Sequence, residues 1–277
     1  MTTGVEAMNP NKALWEKGDF TQIAATMRDS GQSFVQGLEI VRGMEVLDLG
    51  CGDGTTALPA AELGANVLGV DIASNLVLAG NERAAAAGLV NLRFQEGDAS
   101  NLADIVDERF DLVVSVFGAM FAPRPSHVAC EMVRVTKPGG RIVMGNWIPG
   151  DPTLVAQILK ISAAYTPAPP EGFVSPVSWG VEANVVERFG AAGIAPDRIT
   201  CEPMTYVFRH PGPPAELLNT FRFYYGPTMN AFAAAESDER ADALSDELAA
   251  LLASQNQGGA DNTIIPATFL KVLVHKP

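Results

Sequence analysis

The sequence predicts an α/β fold: a seven-stranded, mostly parallel sheet with helices on both faces and a helical insertion near the C-terminus. Two observations carry this. Between residues 44 and 147, short apolar runs alternate with helical patterns, the rhythm of βαβ units whose right-handed crossovers place helices on both faces. Residues 213–256 then read as mostly helical, with no strand pattern among them, before a last apolar strand.

The elements follow in order. Residues 11–42 read as helices, because Ala13, Leu14, Ile23, Ala24 and Met27, then Phe34, Val35, Leu38 and Val41, recur at helical spacing. Residues 44–49 form a strand ending in glycines, 55–63 a helix, 66–70 a second strand, and 74–87 an alanine-rich helix closed by Gly88. Strands are expected at 92–95 and 110–117, with a short helix at 102–106 between them. A helix at 126–135, a KPGG turn at 137–140 and a strand at 141–147 complete this half. Beyond 150 the expected elements are a proline-rich loop at 165–179, a helix at 181–192, a strand at 199–209, and a final strand at 268–274. No repeat or low-complexity linker interrupts the chain, so 1–277 reads as one domain. Its parts are N-terminal helices (1–42), a core (43–147), a loop, helix and strand (148–212), a helical insertion (213–257) and the final strand segment (258–277).

Composition narrows the function. The chain has 277 residues, 47% of them hydrophobic and 18% charged, which is a globular balance. No apolar run reaches the roughly 18 residues of a membrane span, and the N-terminal residues lack the basic-then-apolar pattern of a signal peptide. A cytoplasmic protein without a membrane partner is expected. The net charge is −13, with 32 acidic against 19 basic residues, so nothing resembles the basic stripe that nucleic-acid phosphates require. A small organic substrate fits better. Cys51, Cys130 and Cys201, and His127, His210 and His275, show no metal-ligand or disulfide spacing. No metal is expected, and Cys130 and Cys201 read as small buried apolar residues.

The chemistry concentrates in three places. In Asp48-Leu49-Gly50-Cys51-Gly52-Asp53-Gly54, three glycines follow an apolar strand and expose bare backbone to a ligand at the strand's carboxyl end. A dinucleotide fingerprint would require glycine at position 55, where Thr55 stands, and would ordinarily have an apolar residue in place of Asp48. A phosphate loop would require Gly-Lys-Ser/Thr, which is absent. Asp71 closes the second strand and is placed to accept both hydroxyls of a ribose; the alternative is a helix cap, for which Ser74 competes. Asp98 ends the third strand, where it faces an adenine amino group or simply forms a turn beside Gly97.

Taken together, VLDLGCGDG, VDIAS, EGDAS, FDLVVSVFGAMFAP and RVTKPGGRIVMGNW resemble, in order and spacing, the successive motifs of class I S-adenosylmethionine-dependent methyltransferases, over roughly residues 40–147. The resemblance implies a Rossmann-like fold, S-adenosyl-L-methionine as cofactor and S-adenosyl-L-homocysteine as product. It implies that Asp48 belongs to the cofactor site and that Gly50, Cys51 and Gly52 lie along the methionine part of the cofactor. Asp71 would hold the ribose with Ile72 packed on adenine, Asp98 and Ala99 would meet the adenine edge, and Val116 and Phe117 would line the methyl-donor side. The segments ALWEKGDF and Asn146-Trp147 resemble a large bacterial subgroup of the family, in which Trp15 and Phe20 cover the cofactor unless they are ordinary packing.

The implied reaction is in-line methyl transfer to a small organic acceptor, which requires alignment and exclusion of water more than a catalytic side chain. No catalytic residue is assigned. His127 and His210 are the only conveniently placed neutral-pH bases, and surface or loop positions explain both. An aromatic lid of Phe173, Trp179, Phe221, Phe223, Tyr224 and Tyr225 is expected to select the acceptor, with core packing as the alternative. Phe117-Gly118-Ala119-Met120 stands where amide and base N-methyltransferases carry an asparagine-proline-proline-tyrosine motif. A non-catalytic cofactor-binding protein and, further off, a nicotinamide-dependent oxidoreductase are the competing readings. A second copy of the chain, in a homodimer, is the candidate protein partner.

Overall fold

The runs rich in Val, Leu and Ile become the centre of one sheet. The computed structural model describes residues 10–277, so residues 1–9 of the segment read as N-terminal helices lie outside the described part. Seven strands pair in the order β3-β2-β1-β4-β5-β7-β6: β1 (Glu45–Leu49), β2 (Asn66–Asp71), β3 (Leu92–Glu96), β4 (Phe110–Val116), β5 (Thr136–Trp147), β6 (Ile199–His210) and β7 (Thr263–His275). The pairings β1 to β2, β2 to β3, β1 to β4 and β4 to β5 are parallel, whereas β7 runs antiparallel to both β5 and β6. The order reverses between β1 and β4. At such a switch point the two crossovers leave the sheet in opposite directions and open a crevice beyond the strands' carboxyl ends.

The helices in chain order are α1 (Pro10–Glu16), α2 (Phe20–Ala25), α3 (Arg28–Gln36), α4 (Ala57–Glu62), α5 (Ser74–Ala86), α6 (Pro125–Val135), α7 (Leu154–Ala163), α8 (Glu182–Ala191), α9 (Pro214–Tyr224), α10 (Gly226–Ser237) and α11 (Ala241–Gln255). The helix α6 illustrates how sequence produces them. Pro125 lies in its first turn, where a missing N–H costs nothing, and Val128, Ala129, Met132 and Val135 form one buried stripe. The insertion α9–α11 leaves the sheet at His210 and returns at Thr263, and those two residues are paired neighbours in the β6–β7 ladder. Among the described residues no helix is long and apolar enough to cross a membrane.

Five expectations change. Residues 102–106 form turns rather than a helix. Their backbone groups are claimed by side chains instead: the Arg134 guanidinium donates to the carbonyls of Leu102 and Ile105, and Glu131 accepts from the Leu102 N–H. The KPGG segment is not a separate turn but part of β5. Gly139, with φ +74°, lets the strand bulge there, and the register to β4 shifts between Phe110 and Leu112. The apolar helix α7 was not anticipated, and β7 begins five residues before the expected position 268. Cys130 is exposed on α6, while Cys51 is buried.

Candidate active site

The glycine loop takes its shape from a close crossing of two backbones. Gly50 has φ +69°, and a Cβ on Gly118 would stand 2.1 Å from the Gly50 carbonyl oxygen. Only glycine at both positions lets the turn after β1 lie against the turn after β4. Ser115 ties the same two turns together: its hydroxyl donates to the Leu49 carbonyl at 2.6 Å and accepts from the Ala119 N–H at 3.0 Å.

The loop is also held from outside. Arg28, at the start of α3, bonds Asp53 and the Thr55 hydroxyl, and Arg83 of α5 donates to the Asp53 carbonyl at 2.5 Å. Thr55, the residue that departs from the dinucleotide spacing, therefore serves as an anchor. Its side chain also faces Gly31, where a Cβ would come within 2.4 Å of the Thr55 methyl.

Around this loop a cavity of about 890 Å³, including its open mouth, lies at the carboxyl ends of β1, β2, β3 and β4. All ten candidate residues line it: Asp48, Gly50, Cys51 and Gly52 on the first turn, Asp71 and Ile72 after β2, Asp98 and Ala99 after β3, and Val116 and Phe117 after β4. Trp15 of α1 and Phe20 of α2 also face it. Asp71 accepts from the Gly52 N–H (2.8 Å) and the Ala73 N–H (2.9 Å), so it both shapes the loop and opens α5. Ser74 does not cap its own helix. Its N–H and hydroxyl both donate to Glu16, which ties α1 to the site. Asp98 does form a turn, accepting from the Ser100 N–H at 2.7 Å, and lines the cavity as well.

Electrostatics divide these carboxyl groups. Asp48 is 1% exposed, and burial, reinforced by the negative charge of Asp71, pushes its pKa up to about 8, so it is mostly protonated at neutral pH. A backbone N–H at Ala57 opposes this in part. Burial also raises Asp71, while the N–H groups of Ala73, Gly52 and Ile72 favour its charged form. Burial keeps the Cys51 thiol well above its ordinary value, so it is an inert wall.

Several lining residues carry no signal in the motif spacing. Tyr206 of β6 is one: its hydroxyl is buried, has no hydrogen-bond partner and faces the cavity, while its ring meets Phe117 edge-on at 5.1 Å. The alternation of Tyr206 and Phe208 marks an inward strand face, yet nothing local says that the face meets a ligand. Phe117 adopts φ +60°, uncommon for a bulky residue, and its ring stacks on Trp147 at 3.7 Å with 10° between the planes.

The aromatic lid is not as expected. Trp179 is buried away from the cavity, beneath the Arg188 guanidinium at 4.6 Å and beside Phe189. Phe173, Phe223 and Tyr224 are exposed. Only Phe221 and Tyr225 turn inward, because the helical period of α9 sends every third or fourth residue to one side. His127 is exposed and His210 half-buried, and neither lines the cavity. Among the described residues no group of His, Cys, Asp and Glu is arranged to hold a metal ion.

Known proteins match this arrangement. A family model described as a methyltransferase domain matches residues 47–144, the span of the glycine loop and all the strand-end positions. An uncharacterized protein of Mycobacterium tuberculosis is 34% identical over 252 residues, covering 87% of this chain and 86% of that protein. The chain belongs to the class I S-adenosylmethionine-dependent methyltransferases. The methyltransferase also shares 34% identity over 113 residues with demethylmenaquinone methyltransferase of Paenarthrobacter aurescens, 41% of this chain and 42% of that one. Phosphoethanolamine N-methyltransferase 2 of Haemonchus contortus, in complex with S-adenosyl-L-methionine, superposes with a TM-score of 0.62 at 18% identity. That match covers 100% of this chain and 61% of the other, and at such identity it is a likeness of fold.

Proposed function

We propose that this methyltransferase moves the methyl group of S-adenosylmethionine to a small organic acceptor, working in the cytoplasm as one methyltransferase domain. The observation that carries this reading is the convergence of Asp48, Asp71 and Asp98 with the bare Gly50–Gly52 backbone on one cavity at the switch in strand order. The cavity also presents buried polar atoms without partners, Asp48 Oδ2 and the Tyr206 hydroxyl, as a polar ligand would require.

Asp71 holds the ribose hydroxyls with the acceptor capacity its backbone N–H contacts leave over, and Ile72 packs on the adenine face. Asp98 and Ala99 read the adenine edge, and Gly50, Cys51 and Gly52 carry the methionine portion over protonated Asp48. Val116 and Phe117 bound the side from which the acceptor arrives. When bound, S-adenosylmethionine supplies a sulfonium methyl: the acceptor's electron pair bonds to that carbon as the carbon–sulfur bond breaks and leaves its electrons on sulfur, giving S-adenosylhomocysteine. Trp15 and Phe20 close the cavity mouth and exclude water. The net charge of −13 supports a small organic acceptor over a nucleic acid.

Calorimetric titration with S-adenosylhomocysteine tests the cofactor reading. We expect one site per chain, weakened about tenfold or more by Asp71→Asn; an unchanged affinity in that variant would remove Asp71 from the site. Mass spectrometry of products from a cell extract incubated with enzyme and cofactor then identifies the acceptor, and a methylated polymer in place of a small molecule would contradict the proposal.

A further inference from the structure

A second cavity, of about 320 Å³ including its open mouth, adjoins the first and shares with it Trp15, Phe20, Met27 and Phe117. Eight of its eleven lining residues are aromatic, the other three are Ile23, Met27 and Val155, and none carries a charge. The wall toward the sheet is the Phe117–Trp147 stack, with Phe208 tilted beside Trp147 at 6.2 Å. The opposite wall comes from the insertion, through Phe221 of α9 and Tyr225 at its C-cap.

We infer that this second cavity binds the methyl acceptor, and that the acceptor is an uncharged, ring-bearing small molecule. The inference rests on reading the first cavity as the cofactor site. A charged acceptor, such as an amino acid or a phosphate ester, would leave its hydration shell without meeting an opposite charge among the lining residues. A flat ring loses little on entry and gains edge and face contacts with the aromatic walls. The four shared residues set its orientation. The acceptor's nucleophilic atom faces the first cavity past Met27 and Phe117, while its apolar body lies between Trp147 and α9.

Calorimetry on the full chain saturated with S-adenosylhomocysteine separates the outcomes, with 1-naphthol as the ring-bearing probe and phosphoethanolamine as the charged one. We expect saturable naphthol binding and no phosphoethanolamine binding. Val155 lines only the second cavity and Val155→Trp fills it, so this variant should weaken naphthol at least tenfold while S-adenosylhomocysteine affinity stays within twofold. Phe121→Ala, which removes the ring lying 4.9 Å from Trp15, gives a second variant that leaves α7 intact and should weaken naphthol about fivefold. Naphthol binding unaltered in the folded variants, or phosphoethanolamine bound as tightly as naphthol, would overturn the inference. A wild-type chain that fails to bind S-adenosylhomocysteine would instead overturn the reading of the first cavity, and that titration is read separately.

Discussion

Asp48 shows how one residue can couple folding to pH. Its folded pKa of about 8 lies above the value of about 3.9 expected in the unfolded chain. Between those values the folded state binds the extra proton, so this group's contribution to stability is complete at low pH. It is lost as pH rises toward 8, with a slope of up to about 1.4 kcal/mol per pH unit. Asp71, also raised by burial, acts in the same direction. Asp48→Asn should therefore leave the melting temperature near that of wild type at about pH 4 and raise it increasingly up to about pH 8.5; calorimetric scans across that range check this, and parallel curves for the two proteins would refute it. Tyr206 gives a complementary test. Its buried hydroxyl has no partner, so Tyr206→Phe should not lower the melting temperature, yet it should weaken S-adenosylhomocysteine binding about three- to tenfold if that hydroxyl serves the ligand. Loss of stability without loss of affinity would assign Tyr206 to packing alone.

At the scale of elements, what the sequence revealed depended on whether the deciding interaction was local. The strands β1, β2 and β4 were readable because each is a short apolar run ended by a glycine or a carboxylate. For the same reason the glycine loop, Asp71 and Asp98 stand out in the sequence, whereas Ile72, Ala99, Val116 and Phe117 follow only from the resemblance of the motifs. Residues 102–106 were misread because their partners, Glu131 and Arg134, lie on a helix about thirty residues on. The KPGG segment carries turn residues, but backbone bonds from the Gly139 N–H to the Lys276 carbonyl and from the Lys276 N–H to the Gly140 carbonyl hold it extended. The aromatic lid failed by position along α9: density of rings in FRFYY said nothing about which of them face inward. Tyr206, Trp147 and Val155 reach the cavities only through packing of distant segments. The Gly50–Gly118 crossing belongs to this scale as well. Gly118→Ala forces the two turns apart, so we expect a loss of about 1–3 kcal/mol in urea unfolding and at least tenfold weaker cofactor binding. A variant of wild-type stability would show that the crossing tolerates expansion.

For the whole molecule, ligand and charge set the expected behaviour. S-adenosylhomocysteine at a hundred times its dissociation constant should add about 2.7 kcal/mol and raise the melting temperature by roughly 5 °C. Failure of a thermal-shift assay to show this would exclude tight binding to the folded chain. With a net charge of −13, the protein should not retard duplex DNA in a mobility-shift assay even at low salt, and retention would reveal a local basic surface. The pairing of His210 with Thr263 has a broader consequence. Because the excursion through α9–α11 departs and returns at adjacent residues, a different helical segment can be grafted there without disturbing a single strand pairing. The face contributed by Phe221 and Tyr225 travels with the graft, whereas the glycine loop and strand-end carboxylates stay behind. On the proposed reading of the two cavities, exchanging this excursion between relatives should alter the preference for acceptors through the wall that Phe221 and Tyr225 supply, while the grip on the methyl donor is preserved.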